Sequence, residues 1–279
     1  MLSAIESLQG RRVVAAMSGG VDSSVVAGIL QQHGAEVIGI FLQVWDYQRS
    51  SISRHGSCCA QEDAYDARRV CDRLGIPFYA MDMREEFTSS VVAPFVADYA
   101  AGRTPNPCER CNRFVKFGAL LKAADELEVD YIATGHYVQR VDDSYGTHLL
   151  RAVDESKDQS YFLATTPQSV LHRLLFPLGG MRKPEVRALA RAMNIPTAEK
   201  RESQDICFIP DGDRVAFLRQ QESGGGFQPG SIVDLNGNIL GEHSGIANFT
   251  MGQRRGLKLS GGPWRVVNLD GSRAEVTVA

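Results

Sequence analysis

Two short stretches hold residue types at spacings that chemistry needs. In PNPCERCNRF, Pro105 to Phe114, Cys108 and Cys111 stand three apart among Arg110, Arg113 and Lys116. C-x-x-C spacing serves zinc sites, redox pairs, iron–sulfur ligation and sulfur carriage alike. Positive charge beside a thiol lowers its pKa and favours the nucleophilic thiolate. In SGGVDSS, Ser18 to Ser24, paired glycines let the backbone approach an anion and the serines add hydroxyl donors. A helix N-terminus behind them offers unsatisfied N–H groups and partial positive charge. The stretch also reads as a plain turn with Ser and Asp caps. It follows the apolar run RVVAAM and opens a helical pattern, which favours a nucleotide phosphate. The chain has no G-x-x-x-x-G-K-[ST] and no G-x-G-x-x-G, which disfavours a Walker-type ATPase and a Rossmann dehydrogenase.

The other cysteines divide by context. Cys71 has apolar helical spacing with Ala67 and Leu74, as a packed core residue does. Cys58 and Cys59 are adjacent at a helix start and cannot easily share one metal. Cys207, in KRESQDICFIP, is the one distant candidate to join Cys108 and Cys111, and it follows Lys200 and Arg201. Three cysteines fall one short of a closed tetrahedral zinc site, which points to a reactive centre.

The elements that must position these residues alternate in period. Arg12 to Met17, Glu36 to Val44, Pro77 to Met81 and Asp130 to Thr134 read as strands. Ser23 to His33, Glu62 to Leu74 and Phe117 to Leu127 read as helices. That alternation predicts an α/β fold, a doubly wound parallel sheet with ligands at the carboxyl ends of its strands. From about Pro210 the texture changes to one short helix (GDRVAFLRQQ) and short runs between Gly- and Asn-rich turns, where GGG at 224 to 226 and DLNGN favour hairpins. The expected domains are 1–209, with the nucleotide site and the cysteines, and 210–279, small and mostly β. At 279 residues with net charge −3, no whole-molecule basic field points to nucleic acid, so an RNA surface must be a local patch. Candidate patches are Arg110–Lys116, Arg182–Arg191, Lys200–Arg201 and Arg254–Lys258, each alone more often a solvated face. The N-terminus lacks a signal-peptide core and no apolar run is long enough for a membrane span, so a cytosolic protein is expected.

SGGVDSS resembles the PP-loop of the ATP pyrophosphatase superfamily, the adenine nucleotide α-hydrolase-like fold, which cleaves ATP between its α- and β-phosphates. With AGRTPNPC-x-x-CN-x-x-x-KF, DYIATGHY, KDQSYFL, ES-x-x-ICFI and MGQRRGL, in this order, nearly the whole chain resembles the bacterial tRNA-specific 2-thiouridylases. The resemblance implies ATP-dependent adenylation of the 2-oxygen of the wobble uridine in the tRNAs for lysine, glutamate and glutamine, then replacement of that oxygen by sulfur. It implies ATP phosphates on Ala16, Met17, Ser18, Gly19, Gly20, Val21, Asp22 and Ser23, with Leu42 and Gly135 bounding the adenine, and Mg2+ on the triphosphate. Asn106, Pro107 and Cys108 match positions that contact the target base; His136, Lys157, Asp158 and Gln159 match tRNA contacts. On their own, His136 reads as a hydrogen-bonded loop residue and Lys157–Asp158 as a helix cap. Cys111 matches the nucleophile and Cys207 the cysteine that carries a persulfide. The partners implied are tRNA and an upstream sulfur donor or carrier protein, with no membrane and no DNA.

Two departures from the family pattern bear on mechanism. Many members have aspartate where this chain has Cys108, so Cys108, Cys111 and Cys207 resemble the three-cysteine thiolases that bind a 4Fe–4S cluster. The other route is a Cys207 persulfide ending as a Cys111–Cys207 disulfide, which a reductant must reopen. The family also continues into a C-terminal β-barrel, whereas this sequence stops at Ala279, so a chain lacking that barrel is expected. Competing readings are another PP-loop adenylating enzyme, which leaves PNPCERCN and ICFI together unexplained, and a metal-stabilised RNA-binding module, which leaves SGGVDSS unexplained.

Overall fold

Arg12–Met17 (β1) is apolar from Val13 onward because both of its faces are covered. The structure, a computed structural model, describes residues 8–45, 59–202, 206–209, 212–221 and 224–279; Cys58 and the middle of KRESQDICFIP lie outside them. Two units emerge, Met1–Phe87 with Cys108–Gln204, and Thr88–Pro107 with Asp205–Ala279.

In the first unit β1 is followed by α1 (Val21–Gln32), β2 (Glu36–Gln43), α2 (Cys59–Leu74) and β3 (Phe78–Asp82). Then come α3 (Phe117–Glu126), β4 (Tyr131–Ala133), a hairpin of β5 (Val138–Asp143) and β6 (Gly146–Arg151), β7 (Leu174–Leu175) and α4 (Lys183–Ala192). The sheet order is β3-β2-β1-β4-β7, and each neighbouring pair is parallel. Alternate residues of β1 face opposite sides. Val13, Ala15 and Met17 join a core with Val25, Ile29, Val70 and Val186, from α1, α2 and α4. Val14 joins Ile132, Phe117 and Leu120 on the other side. The doubly wound sheet expected from the sequence is therefore present, with a fifth two-residue strand that periodicity could not show. The chain runs outward from β1 to β3 and returns to β4, so the order reverses between β1 and β4. Ligands in such sheets bind in the crevice beyond the strand ends at this reversal. Ser18–Gly20 follows β1 there and Thr134–Tyr137 follows β4.

The second unit has a sheet of order β10-β11-β8-β9, formed by β8 (Gly230–Val233), β9 (Ile239–His243), β10 (Val266–Asp270) and β11 (Glu275–Val278). Ile232, Phe249, Leu257, Val276 and Val278 are among its core residues. The turn after β8 is held by Asp234, whose Oδ1 accepts from the backbone N–H groups of Asn236 (2.8 Å) and Asn238 (2.9 Å). GGG forms part of a short 3-10 turn, Gly224–Phe227, in place of the expected hairpin. Helix Ala93–Ala100 belongs to this unit: Phe95 packs edge-on to Phe208, with centroids 5.2 Å apart, and also meets Phe217 of α5 (Arg214–Gln220).

Candidate functional site

The phosphate loop is a cradle built by two close approaches. Gly19 has φ +73°, and a Cβ there would lie 2.3 Å from the backbone oxygen of Asp63 in α2, so neither a side chain nor an ordinary φ fits. Gly135 sits against the start of α1, where a Cβ would come within 3.0 Å of the Ser23 nitrogen. The helix begins at Val21, with Gly20 as an extended cap that makes no side-chain cap bond. Ser23 Oγ accepts from the Ser18 N–H at 3.1 Å and lies 3.1 Å from Ser18 Oγ, which fixes the loop's shape. A cap with no side chain, at the end of a 12-residue helix, leaves that N-terminus suited to an anion.

Asp22 ties this loop to two distant segments. Lys183 Nζ, at the start of α4, donates to both Asp22 carboxylate oxygens at 2.7 Å, and the Tyr137 hydroxyl donates to Oδ1 at 2.9 Å. The Lys183 ammonium also pairs with Glu202 at 3.1 Å and lies 5.6 Å from the centroid of the Tyr137 ring. Glu202 receives Lys157 at 2.7 Å and Arg187 at 3.4 Å as well. Burial pushes the Glu202 carboxyl up, but the hydrogen bonds from Lys157 and Lys183 outweigh it and hold the group below its ordinary range. Burial also raises the Tyr137 hydroxyl, with Asp22's charge adding to it, so this tyrosine stays protonated and donating. A second clasp stands nearby: Lys200 Nζ bonds Asp63 at 2.7 Å and Asp66 at 2.6 Å. Lys183, Arg187, Lys200 and also Arg191, which pairs with Glu199 at 2.7 Å, are thus engaged by carboxylates of their own unit. Two of the basic clusters read as RNA surface are in large part internal ion-pair networks.

The cysteine pair lies on a helix. Pro107 opens the turn Pro107–Arg110, where its fixed φ and missing N–H are tolerated, and Pro105 lies before the helix. The helix widens to a π-helical stretch, Cys111–Lys116, before α3 continues it; the Phe117 N–H reaches back to the Asn112 carbonyl. Cys111 is 5% exposed and Cys108 half-buried. Burial raises both thiols, and the Lys116 charge opposes it without winning. The expected activation by three cations is therefore corrected: Arg110 and Arg113 lie over the Phe114 ring, at 5.1 and 4.9 Å from its centroid. Asn112, 2% exposed, donates from Nδ2 to the Phe162 carbonyl at 3.2 Å, while its Oδ1 has no hydrogen-bond partner among the described residues. Thr165 hydrogen-bonds Glu109, a second fastening between the cysteine helix and the 160s segment.

Thr134–Tyr137 joins the loop to this helix within one unit. Tyr137 touches Asp22, and the His136 ring is 6.4 Å from that of Phe117, the residue that follows the cysteine-bearing stretch. Burial, with Lys116 adding to it, pushes His136 down to about 3, so the ring is neutral at physiological pH. Its Nδ1 is 2.8 Å from Thr134 Oγ1. Asp158 accepts from the N–H of Ala152 (2.9 Å) and the Ser160 hydroxyl (2.8 Å), and Gln159 Oε1 accepts from the Tyr137 N–H (2.9 Å). The Lys157–Gln159 side chains are thereby braced within the unit. Leu42 lies near the end of β2, half-buried beside the second core.

Cys207, in the second unit, is exposed on a turn closed by the Ile209 N–H to the Ile206 carbonyl at 2.8 Å. Phe208 and Ile209 beside it are 2% and 4% exposed, so the turn is anchored by its apolar residues. Asn106 and Pro107 precede Cys108 in the chain and fall on the boundary between units. Cys71 is fully buried with its thiol pushed up to about 12 by burial, the packed core residue that its spacing predicts. Under brief iodoacetamide treatment of the native protein, peptide mapping is expected to show Cys207 alkylated well before Cys111, and Cys71 unmodified. Equal labelling of Cys71 and Cys207 would contradict this assignment of burial. Lys183 was missed by motif reading; its only sequence signal is a lysine at the start of an amphipathic helix.

Comparison with known proteins adds the following. A family model described as the tRNA methyl transferase HUP domain matches residues 11–211, and one described as the tRNA methyl transferase PRC-barrel domain matches 217–279. The tRNA-specific 2-thiouridylase MnmA of Geobacter metallireducens is 52% identical over 274 residues, covering 96% of this chain and 74% of that protein. Its namesake from Thermus thermophilus is 52% identical over 256 residues, covering 89% of this chain and 68% of that protein. That from Zymomonas mobilis is 49% identical over 272 residues, covering 96% and 72%.

Proposed function

Because the chain belongs to the tRNA-specific 2-thiouridylase family, we propose that it is the PP-loop enzyme that converts a tRNA uridine to 2-thiouridine, acting at the wobble position of the tRNAs for lysine, glutamate and glutamine. One observation carries the reading at the level of geometry: a single segment, Thr134–Tyr137, touches both the phosphate loop and the helix that follows the cysteine pair. An activating nucleotide and a thiol in one unit is what oxygen-for-sulfur exchange at an amide-like carbon needs.

ATP, when bound, supplies the adenylate that turns the uridine 2-oxygen into a leaving group. The loop fits it. The open cap at Gly20, the Ser18 and Ser23 hydroxyls and the α1 N-terminus present donors to phosphate. Lys183 brings a buried ammonium to the same loop, held there by the Asp22 carboxylate, and Mg2+ would accompany the triphosphate. Gly135 lets the segment after β4 press against the start of α1, where a Cβ would come within 3.0 Å of the Ser23 nitrogen. Cys207, exposed, receives sulfur as a persulfide from the upstream donor and delivers the outer sulfur to uridine C2 as AMP leaves. The Cys111 thiolate bonds to the inner sulfur, the persulfide S–S bond breaks with its electron pair on the departing outer sulfur, and a reductant must later return two electrons to the resulting disulfide. Burial keeps Cys111 protonated at rest, so its proton must be given up as substrate arrives.

A 4Fe–4S cluster would require Cys108, Cys111 and Cys207 as ligands. The first two lie in one unit and the third in the other, and no step is derived through a cluster. Anaerobic purification followed by iron analysis is expected to give an iron-free protein that thiolates tRNA. About four irons per chain, lost together with activity, would overturn the persulfide route. The functional reading itself is tested by incubating the protein with ATP, Mg2+, cysteine, a desulfurase and unmodified tRNA, and digesting the product for 2-thiouridine. Its absence refutes the reading.

A further inference from the structure

Tyr161 and Phe114 are large aromatic side chains left open to solvent on the two segments that frame the cysteine pair. Tyr161 is 59% exposed, with one side of its ring packed on Phe162 at a centroid separation of 4.1 Å. Phe114 is 47% exposed and flanked by the Arg110 and Arg113 guanidiniums. Their segments are fastened together by the Asn112–Phe162 and Thr165–Glu109 bonds, so the rings are held by structure and not by a free loop. Nothing in the core needs these rings outside: Val115 and Leu163, on the same segments, are 0% and 1% exposed.

We propose that Tyr161 and Phe114, with Arg110 and Arg113 beside the latter, form a stacking surface for the unpaired anticodon bases that flank the target uridine. The proposal rests on the thiolation reading and deepens it by naming how the substrate is held. An enzyme that modifies C2 of a uridine must take the base out of the anticodon stack, and its neighbours then need other π-faces. Single-stranded RNA finds these on exposed aromatic rings and guanidinium planes. Guanidiniums beside a ring also neutralise the flanking phosphates, as an apolar protein partner would not require. The ring, not the hydroxyl, is the functional part of Tyr161.

The test uses the full chain and a fluorescently labelled anticodon stem–loop with uridine at the wobble position. Tyr161→Ala is expected to weaken binding roughly tenfold, in the range of base–aromatic stacking. It should raise KM for tRNA by a similar factor and leave kcat at saturating tRNA near wild type. Tyr161→Phe is expected to restore both, and Tyr161→Trp to bind with quenched indole fluorescence. The Tyr161→Ala loss should be nearly independent of salt, whereas that of Arg113→Gln should shrink as salt rises. Unchanged binding in Tyr161→Ala, or a Tyr161→Phe defect as large as that of alanine, overturns the stacking surface. A wild-type protein that makes no 2-thiouridine refutes the functional reading instead, and the binding measurement separates the two failures.

Discussion

Cys207→Ser is expected to reduce 2-thiouridine formation by more than about a thousandfold while leaving tRNA-dependent release of pyrophosphate from ATP intact. Serine is nearly isosteric and the turn is anchored by Phe208 and Ile209, not by the thiol, so the local fold survives. An oxygen cannot carry a sulfane sulfur, so delivery stops although activation continues. Cys111→Ser is expected to abolish turnover in the same assay, with the chain able to hold a persulfide but not to release it. Two further cysteines, Cys71 and Cys108, serve as controls. Cys71→Ser introduces a hydroxyl into a fully buried apolar position, so it should lower stability and spare the chemistry. Cys108→Ser separates the mechanisms, since a persulfide route tolerates it and a three-thiolate cluster does not.

Lys183→Met is expected to have the second-largest effect, and on two quantities at once. Its ammonium, 9% exposed as a side chain, bridges Asp22 and Glu202; removal leaves two carboxylates facing an apolar group. Breaking a buried pair by deleting one partner typically costs 3–5 kcal/mol. With Asp22 29% and Glu202 23% exposed, and with Lys157 and Arg187 still on Glu202, about 2–3 kcal/mol is expected here, read by urea unfolding. Pyrophosphate release should fall with it, because the loop loses the buried Lys183 ammonium. Adding Asp22→Asn to Lys183→Met removes the stranded charge and should recover part of the stability but none of the ATP use. Recovery of both would mean that Lys183 is a structural clasp only. The sign with pH follows from Glu202: its folded carboxyl is held below the ordinary value of 4.5, so its contribution is present above that pH and is lost as pH falls through the folded value.

The sequence was most informative where one local rule decides the outcome. Arg12–Met17 is apolar after its first residue and became the central strand with the bounds expected. Leu174–Leu175 is two residues long and pairs only because β4 is already in place, so no window of periodicity contains it. The hairpin β5–β6 carries charged and apolar residues whose alternation is irregular, and it was passed over. Pro107 stands at the first helical position, where proline favours a helix, but whether a helix follows is decided by packing and not by the proline. The thiols were misread for a related reason. Sequence shows that Arg110, Arg113 and Lys116 are near in the chain; it does not show that two of them turn onto Phe114 or that burial dominates at Cys111. Lys183 is 161 residues from Asp22, and only the fold brings them together.

The central claim is that ATP cleavage at the phosphate loop and sulfur delivery by the cysteines are two halves of one reaction. Single-turnover experiments with persulfide-loaded protein, ATP, Mg2+ and excess unmodified tRNA measure both, as pyrophosphate released and 2-thiouridine formed. The account predicts equal amounts of the two products in the wild type, pyrophosphate alone in Cys207→Ser, and neither in Lys183→Met. Thiouridine formed without pyrophosphate, or undiminished in Cys207→Ser, would contradict it.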